Sequence, residues 1–203
     1  VRSRAAAAIL SREGFTRVYS MEGGISAWKG LVAKGAPEAG MAYFEGGKTP
    51  EELTALAWLL EEASRKFYAE MSGKKGDEEA IALFQDLSAD EERHKNSLFE
   101  LYQTISGQRT GTAWPELPGS AEPGVEYLEG GMPLREAVEW VRGKDMRDAL
   151  DLSISQEANA VDLYIKMERK VQGGEPKRVF RTLLGQERAH LKRLSVLLEK
   201  STI

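Results

Sequence analysis

The chain has 203 residues, enough for one sizeable core or for one domain with a smaller attachment. Its 41% hydrophobic and 30% charged content is that of an ordinary globular protein, and a net charge of −4 with no Lys/Arg block argues against nucleic-acid or anionic-lipid partners. There is no cysteine, which removes disulfides, zinc ribbons, rubredoxin-type iron and every thiol mechanism, and fits a reducing, cytoplasmic compartment.

Residues 1–36 read as a helix (Arg4 to Arg12), a short strand (Arg17 to Ser20) and a helical turn around Trp28, punctuated by Gly14, Gly23 and Gly24. Residues 37–49 contain Gly and Pro and read as a linker. Thr49-Pro50-Glu51-Glu52 then predicts a helix start, with Thr as cap, Pro in the first turn and Glu52 reaching back. Leu53, Leu56, Leu60, Ser64, Phe67 and Met71 follow at helical spacing. The apolar run Leu53 to Leu60 is far short of the roughly 20 residues a membrane span needs. A second helix is expected after Gly76-Asp77, with Phe84, Leu87, Leu98 and Leu101 on one stripe.

Residues 106–144 hold most of the remaining Pro and Gly and read as a long crossover containing one short helix, Leu134 to Arg142. A third long helix is expected from about Asp145, carrying Leu150, Ile154, Tyr164 and Met167. Gly173-Gly174 breaks it, and Pro176 opens a fourth with Phe180, Leu183, Leu194 and Leu198. Two helical hairpins joined by one long crossover predict an antiparallel, mainly α, ferritin-like four-helix bundle, with a small α/β remnant at the N-terminus.

The two histidines of the chain each follow a glutamate by three residues, in Glu91-Glu92-Arg93-His94 and Glu187-Arg188-Ala189-His190. Residues at i and i+3 share a helix face, so one carboxylate and one imidazole can grip the same metal. Thirty residues before each motif lies a further glutamate, Glu61 and Glu157, and seven residues after these lies a tyrosine, Tyr68 and Tyr164. Every such pair is separated by 96 residues, so the two hairpins form an internal repeat.

Glu61, Glu91, His94, Glu187 and His190 interrupt apolar stripes rather than polar faces, and Glu157 is the repeat mate of Glu61. Unpaired buried carboxylates cost several kcal/mol each. Four carboxylates and two divalent ions cancel in charge, and one imidazole per ion completes an oxygen-rich set that favours iron, with manganese as the alternative, over zinc. All six residues are therefore expected to be ligands of two metal ions per chain. Tyr68 and Tyr164 either pack in the core or hydrogen-bond to a carboxylate on a neighbouring helix. Glu62 and Glu92 are expected to face solvent. Asp90 is expected to accept from His190, and Gln186, its repeat mate, to serve His94.

Residues 50–200 resemble the rubrerythrin-type ferritin-like domain, through Glu61…Phe67-Tyr68, Asp90-Glu91-x-x-His94, Glu157 and Glu187-x-x-His190. The resemblance implies a carboxylate-bridged di-iron centre that meets hydrogen peroxide or dioxygen, with Glu91 and Glu187 bridging and Glu61 and Glu157 terminal. Two departures stand out. The family's rubredoxin iron is missing, which implies an external electron-donor protein. An additional glutamate one turn after the third-helix ligand is replaced by Ala160, and the symmetric set left over also resembles the ferroxidase centre of bacterioferritin. Residues 1–36 resemble the C-terminal end of a rhodanese domain, through Arg2-Ser3-Arg4-Ala5-Ala6, Gly14-Phe15, Met21-Glu22-Gly23-Gly24-Ile25 and Trp28. That family's nucleophilic cysteine would precede Val1, so no sulfurtransferase activity is expected of this chain. The leading expectation is a di-iron oxidoreductase, and a homodimer, since antiparallel bundles of this kind usually pair; the alternatives are a ferroxidase or iron-handling protein and a metal-stapled, non-enzymatic scaffold.

Overall fold

The computed structural model describes residues 49–107, 125–171 and 173–200. The rhodanese-like fragment expected over 1–36, and the linker expected over 37–49 apart from Thr49, lie outside the described residues. Those described form five helices: α1 (Pro50–Ser72), α2 (Glu78–Ser106), the short α3 (Leu134–Arg142), α4 (Met146–Lys170) and α5 (Gly174–Lys200).

The sequence signals for the helix starts hold. Thr49 and Glu52 make a reciprocal capping box at α1, and Asp77 and Asp145 cap α2 and α4 through their side chains. Helix α5 begins at Gly174, two residues before Pro176, following Gly173 and Gly174 at φ 73° and 68°. Among the described residues, no helix is long and apolar enough to cross a membrane.

Side-chain contacts fix how the long helices run. On α1 and α2, Arg65 meets Ser88 and Glu61 meets His94, so the two are antiparallel. Glu168–Arg181 and Glu157–His190 make the same statement for α4 and α5. Glu79–Lys200, Asp86–Arg193 and His94–Glu187 do so for α2 and α5. Tyr68–Glu157 and Tyr164–Glu61 close the ring between α1 and α4. The result is a helical bundle ordered α1, α2, α5, α4 around its axis, with α2 and α4 on a diagonal and parallel. A connection between parallel diagonal helices must travel the length of the bundle, which is why the chain needs a long segment there.

The core is divided into two apolar layers. One contains Phe67, Met71, Phe84, Leu87, Leu150 and Leu194, and the other Leu56, Leu60, Leu98, Leu163, Phe180 and Leu183. Along each long helix the two layers meet at the residues the sequence marks as polar: 61–64, 91–94, 153–157 and 187–190. A fully buried Leu or Phe contributes about 2 kcal/mol, so the layers on either side can carry a costly polar band between them.

Candidate metal centre

All six predicted ligands lie in that band, and each is at most 3% exposed. They form two overlapping groups: Glu61, Glu91, His94 and Glu187, and Glu91, Glu157, Glu187 and His190, with one donor atom per residue all within 4.8 Å of one another. His94 Nδ1 is 3.1 Å from Glu61, 2.8 Å from Glu91 and 2.9 Å from Glu187. His190 Nδ1 is 3.5 Å from Glu91, 3.6 Å from Glu157 and 3.3 Å from Glu187. Glu91 and Glu187 thus face both imidazoles, while Glu61 and Glu157 each face one. The two rings lie nearly parallel, 5.3 Å between centroids.

Donor atoms about 2.1 Å from one ion and at right angles lie about 3 Å apart, which matches these separations. Several of the atoms are close without being aligned for hydrogen bonds: Glu91 Oε2, Glu157 Oε2, Glu187 Oε1 and His190 Nδ1 are buried with no hydrogen-bond partner among the described residues. Lone pairs aimed at a common centre rather than at each other produce that pattern. Each of the two overlapping donor groups could therefore hold a metal ion.

Without metal, protons must do the same work. Burial, then the charges of Glu61 and Glu187, push the Glu91 carboxyl well above the usual range. Burial and Glu187 raise Glu157 to about 8. Burial alone would also raise Glu187, but the close imidazoles of His190 and His94 outweigh it and lower this carboxyl. Burial opposes charge on both histidines, yet the surrounding carboxylates prevail: His94 is raised, chiefly by Glu61, and His190 is raised to about 9 by Glu157 and Glu187.

These shifts set a pH dependence. Glu157 holds its proton in the fold up to about 8 but ionises near 4.5 when unfolded, so stability falls across that interval. His190 contributes stability below 6.5 that is lost as the pH rises through about 9. Metal-free protein is therefore expected to melt at progressively lower temperature from pH 6 to pH 9. Metal-loaded protein should not, because metal binding displaces these protons and tightens as the pH rises. Thermal melts across this range, with and without metal, check it; a rising melting temperature for the metal-free form would contradict it.

The tyrosines act across the bundle. Tyr68 on α1 donates to Glu157 on α4 at 2.5 Å, and Tyr164 on α4 donates to Glu61 on α1. Each ring also stacks on a phenylalanine, Tyr68 on Phe84 and Tyr164 on Phe180, so the repeat extends to the packing. Both phenols are fully buried and held well above their usual pKa, by burial first and by neighbouring glutamates second. They are fixed as hydrogen-bond donors that orient Glu61 and Glu157.

Three expectations need correction or completion. Glu62 does not face open solvent: its side chain is 15% exposed and pairs with Arg65 at 2.8 Å and Lys95 at 2.5 Å, while Glu92 is half exposed as expected. Burial raises the Glu62 carboxyl, but Arg65 and Lys95 bring it down to about 2. The cause is position 62 turning into the α1–α2 seam, where Lys95 lies over Trp58. Asp90 does sit 3.3 Å from His190 Nε2, but Gln186 is exposed and His94 Nε2 has no hydrogen-bond partner among the described residues. Asp90 is held inward by Arg193 of α5, and the repeat mate of Arg193 is Ser97, which has no charge to hold anything at the opposite seam. Finally, sequence reasoning missed two buried polar residues beside the band, Glu129 in the segment before α3 and Gln156 on α4. No periodic signal marks the first, and the second stands next to Glu157 without an equivalent in the repeat.

No sequence-family profile matches this chain, and no curated relative matches it. A solved structure of a hypothetical protein from Pyrococcus furiosus superposes with a TM-score of 0.58 at 24% identity, covering 81% of this chain and 95% of that one. At that identity the likeness speaks for the helical fold.

Proposed function

We propose that this chain is a ferritin-like, rubrerythrin-type di-iron oxidoreductase, which reduces hydrogen peroxide or dioxygen with electrons from an external donor. One observation carries the reading: two carboxylates, Glu91 and Glu187, each lie between both imidazoles, with one further carboxylate on either side. Glu61, Glu91, His94 and Glu187 would hold one ion, and Glu91, Glu157, Glu187 and His190 the other. Iron is favoured by the donor set, and manganese shares the same chemistry. When bound, the metal pair would supply two electrons and Lewis acidity for breaking an O–O bond.

The protein's own contribution is positional. Tyr68 and Tyr164 lock the outer carboxylates, and the apolar layers above and below keep bulk water from the band. Because these 203 residues contain no cysteine, they carry no thiolate-held iron, and reduction falls to a donor outside them.

A second reading, ferrous oxidation for iron handling, is favoured by the symmetry of the set: Ala160 is buried where a further acid would break it. Metal analysis after anaerobic iron loading, with absorption spectra before and after peroxide, tests the central claim. Two ions per chain and a near-ultraviolet charge-transfer band that appears on oxidation are expected. One ion or none would sink it. Sustained peroxide turnover with a reducing partner, against iron accumulation in a high-mass particle, separates the two readings.

A further inference from the structure

Among the described residues, Glu129 is the one acidic residue beside the metal centre that comes from outside the four long helices. It is 5% exposed, it accepts a hydrogen bond from Ser64 Oγ, and among the described residues no Lys, Arg or His pairs with it. The turn that carries it is purpose-shaped. Leu128 and Met132 close it through a backbone hydrogen bond, and Gly130 and Gly131 take φ of 99° and 82°. Asn159 of α4 donates to the Glu129 carbonyl, and a Cβ on Gly130 would fall 2.0 Å from that same Asn159 amide, so only glycine permits the approach. Ser64 stands one helical turn beyond Glu61, and its repeat mate is Ala160, so the Glu157 side of the centre has no equivalent.

A leucine would fill this space without the several kcal/mol that an unpaired buried carboxyl costs. The Glu129 oxygens also lie outside both groups of converging donor atoms, so in this arrangement it is not a ligand. We infer that Glu129 is the proton-carrying carboxyl of the metal centre, serving its Glu61 side; this rests on the peroxide-reducing reading above. Reduction of one hydrogen peroxide takes two electrons and two protons, breaks the O–O bond and yields two waters. Glu129 supplies one of those protons from its carboxyl O–H and regains it from solvent, to which it keeps slight access. Burial outweighs the hydrogen bond from Ser64 and holds its carboxyl above the usual range, so the proton is present to be given. The titratable groups facing it are Glu61 and Tyr68 of α1, Tyr164 of α4 and Glu187 of α5.

Glu129→Gln keeps the shape and an acceptor for Ser64 while removing the proton. The iron-loaded variant is expected to hold two ions per chain with the wild-type absorption spectrum. Its single-turnover oxidation by peroxide should slow about 100-fold and lose its pH dependence on the alkaline side. Glu129→Asp should recover part of the rate. If Glu129→Gln does not fold, Ser64→Ala, which unpins the carboxyl, should slow the same step with metal content intact. Loss of metal from Glu129→Gln would make the residue a ligand and overturn the inference, as would a full metal load with an unchanged rate. Wild-type protein that binds two ions but ignores peroxide would remove the underlying reading, and needs no variant to reveal it.

Discussion

Glu91→Ala or Glu187→Ala is expected to yield a chain that retains neither metal ion after desalting. Each of these carboxylates stands within 3.5 Å of both imidazole Nδ1 atoms, so each belongs to both donor groups. Removing one leaves each ion with two carboxylates at most and leaves the positive charge of the site short by one anion. Loss of a residue that only supports a ligand weakens binding roughly 10 to 100-fold, and loss of a shared ligand should exceed that. Glu61→Ala and Glu157→Ala should each cost one ion, because each belongs to one group. Glu92→Ala is the control, being half exposed and one position off the buried face. Glu62 is a poorer control, since it is largely buried in the α1–α2 seam and pairs with both Arg65 and Lys95. Metal analysis of the five variants gives the answer, and equal losses from Glu91→Ala and Glu92→Ala would mean that the helix phase is wrong.

The parts of this centre that were legible in the sequence are those governed by helical periodicity. A glutamate that interrupts a run of leucines at helical spacing must be buried, and the 96-residue repeat says which buried groups meet. Helix starts were legible for an equally local reason, because Thr49, Asp77 and Asp145 act on amides two or three residues away. Glu129 could not be found this way. It lies in an irregular turn whose geometry is set by Asn159, thirty residues on, and by contacts with α1 that no period encodes. Glu62 failed for a related reason: a position one step from the buried face is exposed on a lone helix, but becomes mostly covered once α2 brings Lys95 alongside. The tyrosines were legible as a pattern and not as a role. Spacing excluded a bond to their own helix's glutamate, but only the α1–α4 pairing shows which carboxylate each one reaches.

The metal ions themselves are expected to be unequal, and Asp90 is the reason. An imidazole bound through Nδ1 is oriented and strengthened by what its Nε2–H meets. For His190 that partner is the Asp90 carboxylate at 3.3 Å, itself braced by Arg93 and by Arg193 at 3.4 Å. For His94 the corresponding nitrogen is buried with no hydrogen-bond partner among the described residues, and Gln186 is exposed. The repeat is broken here by charge: Arg93 and Arg193 correspond to Ala189 and Ser97, so nothing draws an acceptor toward His94. Asp90→Ala should therefore weaken metal binding roughly 10 to 100-fold, and the loss should fall first on the ion held by His190 and Glu157. A metal titration that is biphasic in wild-type protein should move toward a single phase in Asp90→Ala, while Gln186→Ala should titrate as wild type. Arg193→Ala should have a smaller effect than Asp90→Ala, because it leaves the carboxylate against the ring with Arg93 beside it. Unchanged affinity in Asp90→Ala would show that the carboxylate braces the α2–α5 seam and does nothing for the metal. Equal weakening by Asp90→Ala and Gln186→Ala would instead restore the symmetry that the arginines are argued to break.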